Sequence, residues 1–248
     1  MLHLPPLYPI TDARHALSLS EQIRRLGEAG FPLVQFRGKP LDAREQRLQL
    51  EQAFHQAEGG WPWICINDRA DLALLAVQSG FQPWGLHLGQ GDLPPSEARR
   101  LPGLEGLHIG TSTHGDAEWQ EVDGACDHAG MGPFRATLTK TDHAEPIGLE
   151  GIHRGSVALR AQGVAPIAIG GLSLKDAPAC FEAGAESLAM VGEILAASDP
   201  GELLWQAQMA RWKVRPPLQR GQGVALIGGS GSGKSILAQA LARRTGMP

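Results

Sequence analysis

The stretch WICINDRADLALLAVQSG, residues 63–80, contains the unit that decides the fold. An apolar run over Trp63–Asp68 ends in polar residues, and a stretch with helical spacing follows over Asp71–Gln78 before Gly80. The run is apolar on both faces, which is typical of a buried parallel strand. Because a parallel neighbour is reached only through a crossover, a repeat of this strand–helix unit predicts an α/β fold.

Runs of the same kind recur about 26 residues apart on both sides of this unit. Eight units favour a closed (β/α)8 TIM barrel over an open doubly wound sheet, and the barrel should close by about Trp212. The long interval Arg135–Leu149 is predicted to be a loop over the active site. The strands are predicted at Leu7–Asp12, Leu33–Gly38, Trp63–Asp68, Gly85–Gln90, Leu107–Thr113, His128–Phe134, Pro166–Gly171 and Ser187–Gly192. The helices are predicted at Leu19–Ala29, Asp42–Glu58, Asp71–Gln78, Pro95–Leu101, Asp116–Val122, Glu150–Gln162, Lys175–Ala183 and Pro200–Trp212.

Composition and charge narrow the class of function. Of the 248 residues, 22 are Lys or Arg and 26 are Asp or Glu, which gives a net charge of −4. Without a basic tract to neutralise phosphates, we expect no nucleic-acid partner. No apolar run approaches about 20 residues, so we expect no membrane-spanning helix, and the start MLHLPPLYPI lacks the regions of a signal peptide. Cys65, Cys126 and Cys180 are too far apart for a disulfide framework or a paired zinc motif. We therefore expect a cytoplasmic enzyme that acts on small molecules, and the sequence leaves open whether it is a monomer or a homo-oligomer.

Charged residues follow the predicted strands at the end where barrel enzymes carry their reacting groups. Asp68 and Asp92 end consecutive strands, so their carboxylates can converge on one point. Arg37, Lys39 and Lys140 are expected nearby. Two carboxylates and several cations suit a Mg²⁺ ion that is shared with a polyphosphate.

Simpler interpretations exist for the same residues. Asp68 could cap the helix that starts at Ala70, and Asp92 could begin the turn before Leu93. Gly170-Gly171 after the seventh strand could offer backbone N–H groups to an anion, or could only form a tight turn.

These residues belong to an ordered series of motifs, which are YPITD, QFRGK, INDRADLAL, GLHLGQGDLP, IGTSTH, GMGPF with Thr137, Thr139 and Lys140, GLEG and IAIGGL. Over residues 7–212 the chain resembles the thiamine-phosphate synthase family. The resemblance implies a TIM-barrel transferase of thiamine biosynthesis. Its substrates would be 4-amino-2-methyl-5-hydroxymethylpyrimidine diphosphate and a thiazole phosphate, and its products thiamine phosphate and pyrophosphate. Pyrophosphate would leave by Mg²⁺-assisted dissociation.

The resemblance also implies a role for each matching residue. Asp68 and Asp92 would hold Mg²⁺, and Arg37, Ser112 and Lys140 would act in catalysis. The substrate-binding residues would be Gln35, Arg37, Lys39, Asn67, Ser112, Thr137, Thr139, Lys140, Gly171, Val191 and Gly192.

The chain departs from the family at the predicted phosphate site. Gly192-Glu193 stand where the family has Ser-Ala, so we expect weaker binding of the thiazole phosphate, with Arg135 offsetting the charge of Glu193. Two alternatives remain: a barrel like the related thiazole tautomerases, and a barrel that only binds a phosphorylated ligand. Asp92, Lys140 and Pro133 favour the synthase, and His114 is expected to be structural.

The C-terminal part carries a second motif. Gly228-Gly-Ser-Gly-Ser-Gly233-Lys234-Ser235 fits a P-loop, in which Gly228, Gly233, Lys234 and Ser235 would contact a nucleotide. The segment resembles the start of a small-metabolite kinase but is too short to bury its own core. We predict a barrel domain over 1–213, a linker over 214–222 and an incomplete strand–P-loop–helix segment over 223–248, without ATP hydrolysis.

Overall fold

The computed structural model describes residues 2–57, 61–136 and 145–214. Within these ranges, eight strands form one parallel sheet in the order β1-β8-β7-β6-β5-β4-β3-β2. The strands are β1 (Leu7–Pro9), β2 (Leu33–Phe36), β3 (Trp63–Asn67), β4 (Gly85–Leu88), β5 (His108–Thr113), β6 (His128–Met131), β7 (Ala165–Ile169) and β8 (Ser187–Met190).

The first and second strands close the sheet into a barrel. A parallel bridge joins Ile10 to Gln35, and the backbone N–H of Thr11 donates to the carbonyl of Gln35 over 3.0 Å. The hydroxyl of Thr11 extends this seam, because it accepts a hydrogen bond from the backbone N–H of Arg37 over 2.8 Å. The predicted (β/α)8 barrel is confirmed.

Helices lie between the strands and after the last one. They are α1 (Leu19–Glu28), α2 (Ala43–Gln56), α3 (Ala70–Gln78), α4 (Pro95–Ala98), α5 (Asp116–Gln120), α6 (Gly148–Ala161), α7 (Ala177–Glu182), α8 (Gly192–Ala196) and α9 (Pro200–Val214). Local sequence features determine where several of these helices begin or end. Ser18 and Glu21 form a capping box at the start of α1. Gly80, with a φ of 85°, ends the turn that follows α3.

The predicted elements differ from the observed ones mainly at their ends. The third strand stops at Asn67 because Asp68 has a φ of 64°, which a strand cannot accommodate. The helix predicted at Lys175–Ala183 divides into a 3-10 turn, Leu174–Asp176, and α7. Pro178 has no N–H to continue the ladder back to the turn, which explains the division. The sequence pattern did not predict α8.

The barrel interior is filled by apolar side chains from most strands. The core cluster contains Leu4, Tyr8, Ile10, Leu33, Cys65, Ala165, Ile167 and Ala189. No described helix is long and apolar enough to cross a membrane. One compact unit spans Met1–Lys213. Val214, the first residue of the predicted linker, ends α9, whereas residues 215–248 lie outside the described part of the chain.

Candidate active site

A cavity of about 290 Å³ opens at the carboxyl ends of the strands, the end at which barrels of this kind carry their reacting groups. Residues in or after β1, β2 and β5 to β8 line it. Five residues predicted from the sequence are among them: Arg37, Ser112, Gly171, Val191 and Gly192.

Two carboxylates face each other at this mouth, one directly after β3 and the other in the turn after β4. A Cβ built on Gly89 would lie 3.1 Å from Oδ2 of Asp92 and 3.9 Å from Oδ1 of Asp68. A side chain at this position would crowd Asp92, which explains why a glycine is there. Nζ of Lys39, which follows β2, lies 2.6 Å from Oδ2 of Asp68. The structure thus brings together Asp68, Asp92 and Lys39, as the sequence predicts.

Backbone geometry orients the side chains of Asp68 and Asp92. Asp68 has left-handed backbone angles, which Asp tolerates better than most residues, and its side chain turns toward Lys39. The N-cap residue of α3 is Arg69, and no side-chain hydrogen bond caps the start of this helix. The alternative that Asp68 caps the helix is therefore wrong. Oδ2 of Asp92 accepts a hydrogen bond from the backbone N–H of Gly89 over 2.7 Å, so its side chain closes a turn that ends at Asp92 rather than one that begins there.

The electrostatics of this pair favour a bound cation. Burial raises the pKa of Asp92, and the charge of Asp68 raises it further. Two converging carboxylates fit Mg²⁺, which takes one or two from a protein and completes its shell with phosphate oxygens and water. Within the described ranges, no three His, Cys, Asp or Glu side chains gather into a larger metal site.

Positive charge reaches the cavity from the first two strands. Arg37 and Arg14 line it, and Nε of Arg14 donates to Oδ1 of Asp12 over 3.1 Å. Burial acts to raise the pKa of Asp12, but hydrogen bonds from Arg14 and the charges of Arg14 and Arg37 lower it overall. No role was predicted for Asp12 or Arg14 from the sequence, although the motif YPITD ends at Asp12 and was the available signal.

Two predicted substrate-binding residues lie beside the cavity lining. Gln35 is only 3% exposed, and its Nε2 donates to the hydroxyl of Tyr8 over 3.4 Å inside the barrel. Asn67 ends β3 and pairs in register with His87 of β4. Gln35 precedes Arg37 by two residues and Asn67 directly precedes Asp68, and neither residue lines the cavity itself.

Ser112 reaches the cavity from β5 and has a buried partner. Its Oγ lies 3.1 Å from Nε2 of His87 on β4. No role was predicted for His87 from the sequence, because it lies within the predicted fourth strand and not on the predicted rim. The motif GLHLGQGDLP, which contains His87 between two apolar residues, was the available signal.

The glycines after β7 and β8 shape the other side of the cavity. Gly170 and Gly171 have φ values of 95° and 67°, and a Cβ on Gly170 would lie 2.7 Å from Cα of Pro133. The positive φ values and this close packing explain why glycine is needed in the turn after β7. By contrast, a Cβ on Gly192 would meet no atom within 4 Å, so a larger residue fits at the start of α8.

The hypothesis that Arg135 offsets Glu193 is wrong in the structure. Nη1 of Arg135 donates to Oδ2 of Asp176 over 2.8 Å. Oε2 of Glu193 accepts a hydrogen bond from the backbone N–H of Leu174 over 2.8 Å. Asp176 is closer to the Arg135 side chain because it follows β7, whose end pairs with the backbone of Arg135. Glu193 lines the cavity, and among the described residues it has no ion pair with a basic side chain.

Several predicted residues lie outside the described ranges. These are Thr137, Thr139 and Lys140 of the sixth loop, and Gly228, Gly233, Lys234 and Ser235 of the P-loop. His114 is described: it lines the cavity, and its Nδ1 lies 3.3 Å from Oε2 of Glu118, four residues on.

Comparison with known proteins gives a consistent result. The family model described as thiamine monophosphate synthase matches residues 7–194. The thiamine-phosphate synthase of Chloroflexus aurantiacus is 40% identical over 202 residues, which are 78% of this chain and 86% of the relative. That of Corynebacterium efficiens is 37% identical over 180 residues, 71% of this chain and 81% of the relative. Among solved structures, the thiamine phosphate pyrophosphorylase of Pyrococcus furiosus is 26% identical with a TM-score of 0.68, covering 85% of this chain and 96% of that one.

Proposed function

The chain belongs to the thiamine monophosphate synthase family of thiamine biosynthesis, and we propose that it joins a pyrimidine diphosphate to a thiazole phosphate. It is a transferase, as its curated relatives are thiamine-phosphate synthases. The proposed substrates are 4-amino-2-methyl-5-hydroxymethylpyrimidine diphosphate and the phosphate ester of a hydroxyethylthiazole. The proposed products are thiamine phosphate and pyrophosphate.

One observation carries this proposal beyond the family assignment. Asp68 and Asp92 converge at Gly89, with Lys39 on Asp68, at the barrel mouth that also carries Arg37. An acidic pair surrounded by cations suits a metal-bound diphosphate better than an uncharged ligand.

Mg²⁺ is the proposed cofactor, and Asp68 and Asp92 would hold it. When bound, it would neutralise diphosphate charge and so make pyrophosphate a better leaving group. Lys39 keeps the charge of Asp68 balanced before the ion arrives, since its ammonium lies 2.6 Å from that carboxylate.

The protein's own cations and hydroxyl would act on the leaving group. The bond between the pyrimidine methylene carbon and the diphosphate oxygen breaks, and the electron pair leaves with pyrophosphate. Arg37, Ser112 and, in the sixth loop, Lys140 would stabilise the charge that develops on this oxygen. The electron-rich aminopyrimidine then carries the positive charge, and the thiazole nitrogen attacks to form the new carbon–nitrogen bond. No general base is needed, because the nucleophile is a neutral ring nitrogen.

The apolar part of the cavity would protect the cationic carbon from water. Ile10, Ile169, Leu172 and Met190 line it. Excluding water limits hydrolysis of the pyrimidine before the thiazole nitrogen attacks. The thiazole phosphate would bind near Gly171, Val191 and Gly192, with Thr137 and Thr139 at its edge, and Glu193 would weaken its binding.

The test is to incubate the protein with both substrates, with and without Mg²⁺, and to measure thiamine phosphate and pyrophosphate. We expect equal amounts of both products, formed only with the metal. Substrate binding without product would instead favour a ligand-binding barrel, and isomerisation of a thiazole without joining would favour a tautomerase. Either outcome would overturn the proposal.

A further inference from the structure

Three polar side chains form a hydrogen-bonded column that leads from the cavity into the barrel. Oγ of Ser112 lies 3.1 Å from Nε2 of His87, and Nδ1 of His87 lies 3.4 Å from Nε2 of His128. Ser112 lines the cavity, whereas His87 and His128 are buried. The column therefore connects a proposed catalytic hydroxyl to a histidine on β6.

The structure makes room for the His128 ring and holds it on several sides. Gly110 on β5 lies opposite His128 in the sheet, and a Cβ built on Gly110 would lie 2.0 Å from Nε2 of His128. The ring stacks on His87 with centroids 5.5 Å apart and meets the ring of Tyr8 edge-on at 6.1 Å. The orientation of its two nitrogens is thus defined by packing.

The two nitrogens of His128 have unequal surroundings. Nε2 faces His87, but Nδ1 is buried with no hydrogen-bond partner among the residues that the structure describes. Burial lowers the pKa of His128 well below its usual value, so the ring carries a single proton. A buried N–H group without an acceptor is costly and rare, whereas an unpaired acceptor is tolerated more often. The proton therefore belongs on Nε2.

This assignment sets the direction of the whole column. The Nε2–H of His128 donates to Nδ1 of His87, and because Nδ1 of that ring is then the acceptor, the ring carries its hydrogen on Nε2. That proton is donated to Oγ of Ser112. Because Oγ of Ser112 accepts this hydrogen bond with one lone pair, its own hydrogen can be donated to a group in the cavity.

We propose that His128 is a positioning residue that acts through His87 to fix Ser112 as a hydrogen-bond donor to the diphosphate of the first substrate. This inference rests on the proposed function, because the diphosphate is the anion that Ser112 would meet. Such a bond strengthens as negative charge develops on the leaving oxygen. Loss of the column should therefore lower kcat more than it raises KM.

Three variants test the role in catalysis. His128→Phe keeps a ring of similar size in the stack but removes the donor, and we expect kcat to fall about 10-fold with less than about a 2-fold change in KM for the diphosphate. His128→Gln keeps a terminal N–H and should recover activity to within about 3-fold of the wild type. His55→Phe is the matched control. Its exposed ring on α2 lies edge-on to Phe81, with centroids 5.1 Å apart, and is not part of the column.

Melting temperatures show whether each variant is folded. A folded His128→Phe variant with wild-type kcat would overturn the positioning role. So would a His128→Gln variant as impaired as His128→Phe, because the effect would then come from packing alone.

The proton positions can be measured without any substrate. Long-range ¹H–¹⁵N correlation spectra of protein with ¹⁵N-labelled histidine report which nitrogen of each ring carries hydrogen. We expect Nε2–H for both His87 and His128. If the wild type makes thiamine phosphate but His128 carries its proton on Nδ1, only the positioning role fails. If the wild type makes none, the proposed function fails whatever the tautomers are.

Discussion

Asp68 and Asp92 both lie against Gly89: a single methyl group at this position would come within 3.1 Å of Oδ2 of Asp92 and 3.9 Å of Oδ1 of Asp68. Glycine therefore leaves room for both carboxylates beside this turn. Asp68 has a left-handed backbone, and its side chain reaches Lys39. This acidic pair and its lysine are the basis of the proposed Mg²⁺ site.

We expect Asp92→Asn to raise the Mg²⁺ concentration needed for half-maximal activity by about 100-fold or more. Changes in the surroundings of metal ligands alone cost about 10- to 100-fold in affinity or activity, and the loss of a ligand charge should cost at least as much. The measurement is a Mg²⁺ titration of pyrophosphate release. Asp71→Asn is the control, because Asp71 on α3 accepts a hydrogen bond from Nε of Arg69 over 2.7 Å and is not one of the two converging carboxylates. An unchanged Mg²⁺ requirement in Asp92→Asn would remove this residue from the metal site.

Gly192→Ser should lower KM for the thiazole phosphate. Space exists for the new side chain, since a Cβ on Gly192 would meet nothing within 4 Å, and its hydroxyl would add a hydrogen bond to the phosphate. One bond to a charged group is worth about 1.5–3 kcal/mol, which is roughly 10-fold or more in KM. Steady-state kinetics with the thiazole phosphate varied checks this. Glu193→Gln tests the same site by removing repulsion, and KM should fall there as well. Equal KM values in all three proteins would place the phosphate elsewhere.

Gly110→Ala should destabilise the protein because the added methyl group would overlap the ring of His128. Overpacking of a core usually costs about 1–3 kcal/mol. For a protein of this size each kcal/mol lowers the melting temperature by about 2–4 °C. Gly106→Ala is the control, since a Cβ at Gly106 meets no atom within 4 Å. Urea unfolding should separate the two variants, and similar stability would mean that the His128 ring can move aside.

Much of the fold could be predicted because the alternation of strands and helices depends on local sequence patterns. The convergence of Asp68 and Asp92 followed from their positions after consecutive parallel strands, which end at the same edge. The buried environment of Gln35 could not be predicted from the position of its strand. Its strand is buried on both faces, so alternation cannot tell which side chains point into the barrel.

Contacts that depend on strand register, or on loops that are distant in the sequence, could not be predicted either. The column under Ser112 requires Gly110 to lie opposite His128, and strand register is a property of the assembled sheet. The partner of Arg135 was mispredicted for a similar reason. Asp176 is 41 residues away along the chain and meets Arg135 only because the sixth and seventh strands are neighbours.

Lys234→Ala should leave the rate of thiamine phosphate formation unchanged. Lys234 belongs to the P-loop motif at 228–235, beyond the residues 7–194 that match the synthase family. The barrel residues proposed for the reaction lie between Gln35 and Gly192. Steady-state rates of the wild type and the variant, measured with and without added ATP, check this. A loss of more than about 10-fold, corresponding to 1.4 kcal/mol in the barrier, would show that the P-loop segment contributes to the synthase reaction.

The ion pair between Arg135 and Asp176 should make stability depend on acid pH. A hydrogen bond from Arg135 is the main cause that lowers the pKa of Asp176 to about 2, and hydrogen bonds from Ser173 add to it. Since the folded pKa lies below the unfolded value near 3.8, Asp176 stabilises the protein above about pH 4, and this contribution is lost as the pH falls toward 2.

Arg135→Gln should move the pKa of Asp176 up toward its ordinary value. The free energy of unfolding should then fall less steeply between pH 4 and pH 2 than in the wild type. Urea unfolding across this range measures the slope, with Arg154→Gln as a control that removes an exposed Arg–Asp pair elsewhere on the barrel. Equal slopes in Arg135→Gln and the wild type would mean that other groups determine the acid dependence.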